Sequence, residues 1–113
     1  MSTSAHIAIA LADGNYKYIY CYCDGNPSQA GAKLEKYYNT IEKVCELIEL
    51  GDLSVLAFNI DSCIFYYRDR NEDWEIVQPI IGSVTDVMDQ MYTYIFDDND
   101  WNCYKHGTEL EKI

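Results

Sequence analysis

Apolar and polar positions alternate in twos at the start of the chain and follow a helical period in its middle. Residues 5–11 (AHIAIAL) and 16–23 (YKYIYCYC) alternate and read as two strands. Ala12-Asp13-Gly14-Asn15 lies between them, and its Asp-Gly step predicts an antiparallel hairpin. The period of two places Tyr16, Tyr18, Tyr20 and Tyr22 on one face, with Lys17, Ile19, Cys21 and Cys23 on the other. Asn26, followed by Pro27, predicts a capped helix running to about Tyr38, in which Gly31 either weakens the helix or permits close packing. Over residues 40–50 the positions Ile41, Val44, Cys45, Leu47 and Ile48 form an apolar helical face, and Gly51 is its expected stop. Asn39 and Glu42 have the spacing of a capping box at its start.

The second half is choppier. Residues 62–68 predict a third strand, Trp74 to Val77 a fourth, and Ser83 with Asp86 the start of a short helix carrying Val84, Val87, Met88 and Met91. Residues 92–96 and 101–104 predict a last hairpin around Asp97-Asp98-Asn99-Asp100, followed by a loosely held tail from His106. The order ββ-α-α-ββ-α-ββ predicts one α+β domain over residues 1–113. Its core would be a single antiparallel sheet built from hairpins, with two to three helices packed on one face.

Charge narrows the possible functions. Nineteen Asp and Glu against eight Lys and Arg give a net charge of −11. Such a surface repels phosphates within a Debye length of roughly 8–10 Å and favours basic partners, so direct nucleic-acid binding is not expected. No run of 18 apolar residues predicts a membrane span, and the first residues lack the basic and apolar regions of a signal peptide. The five cysteines are an odd number without paired C-x-x-C spacing, which points to reduced thiols and a cytoplasmic setting.

Catalytic and cofactor chemistry find little support. His6 and His106 are the only histidines; no ligand spacing predicts a metal site, and each reads as an isolated, half-exposed histidine. Cys45, on the apolar side of its helix, reads as buried and unreactive. Gly25 and Gly31 belong to neither a P-loop nor a dinucleotide fingerprint. The expectation is a non-enzymatic protein with no cofactor. The tyrosine ladder is read as cross-strand packing, an interface that could form a homodimer, or the wall of a small-molecule pocket. In the last case Arg68 or Arg70 would meet the phosphates of a nucleotide signal.

The carboxylates supply the sharper candidate. Glu42, Glu46 and Glu49 share one side of the 40–50 helix, with Asp52 just beyond. Their axial spacing of roughly 4.5–6 Å is of the order of phosphate spacing along a nucleic-acid strand. Asp69, Glu72 and Asp73 on one turn and Asp97, Asp98 and Asp100 on another would widen the surface if they faced the same way. The bland alternative is a solvated helix face and charged turns.

The segment IYCYCDGNPSQAGAKLEKYYNTIEKVCELIELGDLSVL resembles a group of small proteins from phages and bacterial mobile elements. Their pattern reads Y-C-H-x-D-G-Y-P, then V-G, a leucine, a tyrosine and K-V-x-x-L-I-x-L-G-D-L-S-x-L. Tyr20, Cys21, Asp24, Gly25, Pro27, Gly31, Leu34, Tyr38, Lys43, Val44, Leu47, Ile48, Leu50, Gly51, Asp52, Leu53, Ser54 and Leu56 match it. Tyr67-Arg68-Asp69-Arg70 and YIFDDNDW are also similar. Tyr22 replaces the group's histidine and Asn26 its tyrosine. No catalytic residue carries over. The resemblance implies a phage or mobile-element context, in which compact acidic proteins often inhibit host defence. The expected partner is then the basic surface of a host nucleic-acid-handling protein, of the kind met in CRISPR or restriction systems, blocked in the host cytoplasm by nucleic-acid mimicry.

Overall fold

A computed structural model describes residues 3–105; the expected tail from His106 lies outside them. Seven strands and four short helices form an α+β fold. The strands are β1 (Ala5–Ala10), β2 (Tyr16–Cys21), β3 (Leu53–Val55), β4 (Ile64–Phe65), β5 (Ile80–Gly82), β6 (Tyr92–Asp97) and β7 (Asp100–Lys105). The helices are α1 (Ala32–Tyr37), α2 (Ile41–Glu49), α3 (Trp74–Val77) and α4 (Val84–Val87). The strand order is β4-β3-β2-β1-β6-β7, and β5 pairs with the first half of β2.

The first and last hairpins of the chain form as the alternation predicts. β1 and β2 pair antiparallel, with Ile7 opposite Ile19, and β6 and β7 pair with Asp97 opposite Asp100. Asp98 and Asn99 take φ of +52° and +62°, the two positive values of a tight primed turn. The sheet is nevertheless mixed, not purely antiparallel: β1 runs parallel to β6, and β2 parallel to β3. Parallel neighbours require long crossovers, and the chain supplies them through α1–α2 and through residues 56–91.

One face of the sheet carries the main core. Ile7, Ile19, Cys21, Tyr94, Phe96, Trp101 and Cys103 meet Leu34, Tyr38, Val44, Leu47 and Ile48 from α1, α2 and their connection. Burying Val44, Leu47 and Ile48 contributes about 1.5–3 kcal/mol each, which fixes the helix against the sheet. Polar groups within this layer are paired: Trp101 Nε1 donates to Tyr38 O at 2.8 Å, and Tyr94 Oη to Gly25 O at 2.6 Å. Gly31 stands against Tyr94, where an added Cβ would lie 3.1 Å from the ring, so its role is close packing.

The helices do not keep to one face. Val87 of α4 packs on the other side with Ala8, Tyr18 and Ile95, making a second, smaller core. Other local expectations also give way. Trp74–Val77 is a helical turn and not a strand, because Asp73 accepts from Glu75 N and caps it. Asn26 precedes a π-helical turn over Pro27–Gly31 without a side-chain capping bond. The cap of α2 is Thr40, which accepts from Lys43 N, and not Asn39. Ser83 and Asp86 do form a reciprocal capping box.

Candidate functional site

Helix α2 sets the acidic stripe. Val44, Leu47 and Ile48 face the sheet, which leaves Glu42, Glu46 and Glu49 exposed on the outward side. Glu49 pairs with Lys17 of β2, so the stripe carries a counter-charge at its C-terminal end. Asp52 does not continue the row. It is half-buried, its Oδ1 accepts from Tyr20 N at 2.8 Å, and burial pushes its carboxyl up to about 6. Its backbone is held as well, with N donating to Val77 O and O accepting from Tyr66 N.

The other carboxylates fall into two groups. Asp69 closes the loop after β4, accepting from Phe65 N and from the Arg68 guanidinium, which holds it below the usual carboxylate range. Glu72 and Asp73 follow on that loop and are exposed. Asp97, Asp98 and Asp100 are exposed on the β6–β7 turn, and Asp100 Oδ1 accepts from Trp101 N. β4 and β7 are the two ends of the strand order, so these groups hang from opposite edges of the sheet. The ten candidate carboxylates therefore do not form one patch. Negative charge lies on the outer helix and on both edges.

Beside the α2 stripe is a cleft of about 300 Å³ that the sequence pattern did not reveal. Glu46 and Lys43 border it from α2, with Tyr37, Phe58 and Asp61 opposite. Phe58 is 62% exposed, and its ring centroid lies 5.4 Å from that of Tyr37. Exposed aromatics are a residue type enriched at protein interfaces. Phe58 sits in a stretch without periodicity, so nothing in the pattern marked it.

The tyrosine ladder is largely packed. Tyr18 is buried beneath α4, Tyr16 and Tyr20 are half-buried, and Tyr22 is the exposed member. Arg68 is engaged within its own loop: Nη1 donates to Ile60 O, Nη2 to Cys63 O, and Nε to Asp69. Arg70 lies over the Tyr66 ring at 5.5 Å.

Two single-residue expectations are corrected. Cys45 is exposed, because it falls at the border of the α2 apolar arc. His6 is buried at 8% exposure, not half-exposed, because α4 covers its face of the sheet. All five cysteines are free thiols; Cys21 and Cys103 are pushed up by burial to about 12 and about 11. Among the described residues no group of three or more His, Cys, Asp or Glu could hold a metal ion. No helix among them is long and apolar enough to cross a membrane.

The residues that match the phage-protein pattern are mostly structural. Cys21, Leu34, Tyr38, Val44, Leu47, Ile48, Leu53, Ser54 and Leu56 are buried. Gly25 has no room for a side chain: a Cβ would lie 2.6 Å from Thr3 O. No protein-family model, no curated protein and no solved structure matches the chain.

Proposed function

We propose that this chain is a non-enzymatic binding protein that inhibits a nucleic-acid-handling defence protein by occupying its basic surface. In this reading a phage or mobile element encodes it, and it acts in the host cytoplasm against a CRISPR-type or restriction-type effector. The observation that carries the proposal is the outward row Glu42, Glu46 and Glu49 on a helix whose other side is locked into the core. The backbone beneath the row is already ordered, so binding has only the glutamate side chains to immobilise. At a net charge of −11 the protein is steered toward basic surfaces. The adjoining cleft supplies what a charge row lacks, an exposed aromatic pair, Tyr37 and Phe58, able to anchor a complex after encounter.

Carboxylates on the two sheet edges would act at longer range, raising the association rate more than the lifetime of the complex. Asp52 and Asp69 hold backbone, so the contact surface reduces to Glu42, Glu46 and Glu49, with Asp61 across the cleft.

The test is capture from a host lysate by immobilised wild-type chain and by the Glu42→Lys, Glu46→Lys double variant. The wild type should retain a nucleic-acid enzyme at low salt and release it at high salt or to added duplex DNA. The double variant, matched for unfolding midpoint, should retain none. Equal capture by both proteins removes the α2 row from the interface and defeats the proposal.

A further inference from the structure

Between the second face of the sheet and the segment carrying β5 and α4 lies an open cleft of about 430 Å³. This is within the size range of small-molecule sites. His6 of β1 and Tyr18 of β2 border it from the sheet, and Thr85, Asp86, Asp89 and Gln90 from the covering segment. The carboxylates here are not part of the α2 surface, which lies across the sheet.

The state of His6 is set by its neighbours. Nδ1 lies 2.8 Å from Val87 O. A carbonyl oxygen only accepts, so Nδ1 carries the proton, and in the neutral ring Nε2 is then an acceptor. Burial favours the neutral ring. Nε2 has no hydrogen-bond partner among the described residues, although the residue is 8% exposed. Among them, Asn26 Oδ1 is the one side-chain polar atom both enclosed and unpartnered, so Nε2 reaches open space, and the space its ring borders is this cleft.

The lining then selects its ligand by charge and by hydrogen-bond sense. Nε2 and the two carboxylates accept, with Asp86 Oδ2 already capping Ser83; the Tyr18 and Thr85 hydroxyls and the Gln90 amide are neutral, and no lysine or arginine borders the cleft, so charge favours a cation. The negative potential is felt at Tyr18, whose hydroxyl is pushed up by burial first and then by Asp86, Asp89 and Asp52. An anion would be repelled, and an apolar molecule would leave the buried His6 Nε2 unpaired. A metal ion lacks its ligand set, since no group of three donors converges among the described residues. We propose that this cleft binds a small alkylammonium, which donates N–H to His6 Nε2 while Asp86 and Asp89 balance its charge. The aromatic ring of Tyr18 supports the alkyl portion.

Calorimetry and NMR on the full chain at constant ionic strength test this, with putrescine as the free amine and Nα-acetyl-lysine as the same ammonium on a protein-like group. Saturable binding of either probe, with the His6 ring nitrogens and Tyr18 ring protons shifting together, is the expected result. Preference for putrescine assigns a free amine, and preference for the lysine derivative assigns a side chain. Asp89→Asn should weaken binding about tenfold or more at an unchanged unfolding midpoint, whereas Glu42→Gln on the far side should leave it unaltered. Absence of saturation, an unmoved His6 ring, or equal weakening by the two variants overturns the proposal.

Discussion

His6 Nδ1 lies 2.8 Å from the carbonyl oxygen of Val87, a bond that ties the first strand to the α4 turn across 81 positions of sequence. Thr93 Oγ1 donates to the same oxygen at 3.0 Å. One carbonyl therefore holds α4 to two adjacent strands, and the small second core forms beneath it.

Because burial lowers the His6 pKa, the unfolded chain binds its proton more readily than the folded one. The stability that neutral His6 contributes is present above the unfolded value of 6.5 and is lost as pH falls through the lower folded value. Urea unfolding of wild type and His6→Gln at about pH 7 and about pH 5 isolates this contribution. The wild type should lose more stability on acidification than the variant; parallel losses would mean that the ring titrates alike in both states.

Gly51 ends α2 with φ of +85°, and a Cβ there would lie 2.5 Å from Val77 O. That carbonyl accepts from Asp52 N at 2.8 Å, so neither backbone can retreat cheaply. Gly51→Ala should cost about 3 kcal/mol or more, combining left-handed strain with overpacking. Gly14 has φ of +88° but nothing within 4 Å of an added Cβ, so Gly14→Ala should cost only about 1 kcal/mol. Denaturant midpoints of the two variants give the comparison, and similar losses would show that the contact with Val77 is immaterial.

These glycines mark what local pattern can and cannot reveal. The β1–β2 and β6–β7 hairpins, helix α2 and its Gly51 stop were legible because each is encoded in one contiguous stretch of chain. Neighbours distant in sequence were not. The alternation in β1 reads the same beside a parallel β6 as beside an antiparallel one, so the mixed sheet left no trace. β3 and β5 are three residues each, too short for a period to emerge. Cover from α4 turned His6 from an exposed strand residue into a buried one. For the acidic candidates, the α2 row was legible from helical spacing. The withdrawal of Asp52 and the separation of the two acidic turns depended on strand order, which no local signal carries.

Arg68 bridges Ile60 O, Cys63 O and Asp69, and its guanidinium lies 4.9 Å from the Phe65 ring centroid. Lysine cannot reproduce this fork, so Arg68→Lys should lose about 1 kcal/mol of stability. The same engagement predicts that nucleotides give no heat in calorimetry with the wild type. Saturable nucleotide uptake that Arg68→Lys abolishes at matched stability would reinstate a phosphate-binding role.

Asp52 carries the opposite pH signature to His6. Its folded pKa of about 6 stands above the usual aspartate value of 3.8, so the folded chain holds the proton more tightly. The stability that protonated Asp52 contributes is complete below the unfolded value and is lost as pH rises through about 6; at neutral pH the ionised carboxylate is a liability. Asp52→Asn keeps an oxygen for Tyr20 N–H and removes the charge. It should gain roughly 1 kcal/mol at neutral pH, a figure discounted for the solvent that still reaches a half-buried group. Near pH 3.5 the gain should vanish, because the carboxyl is then protonated in both states. Asp52→Ala, which leaves that N–H without its acceptor, should lose about 1–2 kcal/mol near pH 3.5 and less at neutral pH, where removing the charge offsets part of the loss. Thermal or urea unfolding of the three proteins at both pH values decides the matter, and a gain in Asp52→Asn that does not change with pH would detach it from the ionisation of this carboxylate.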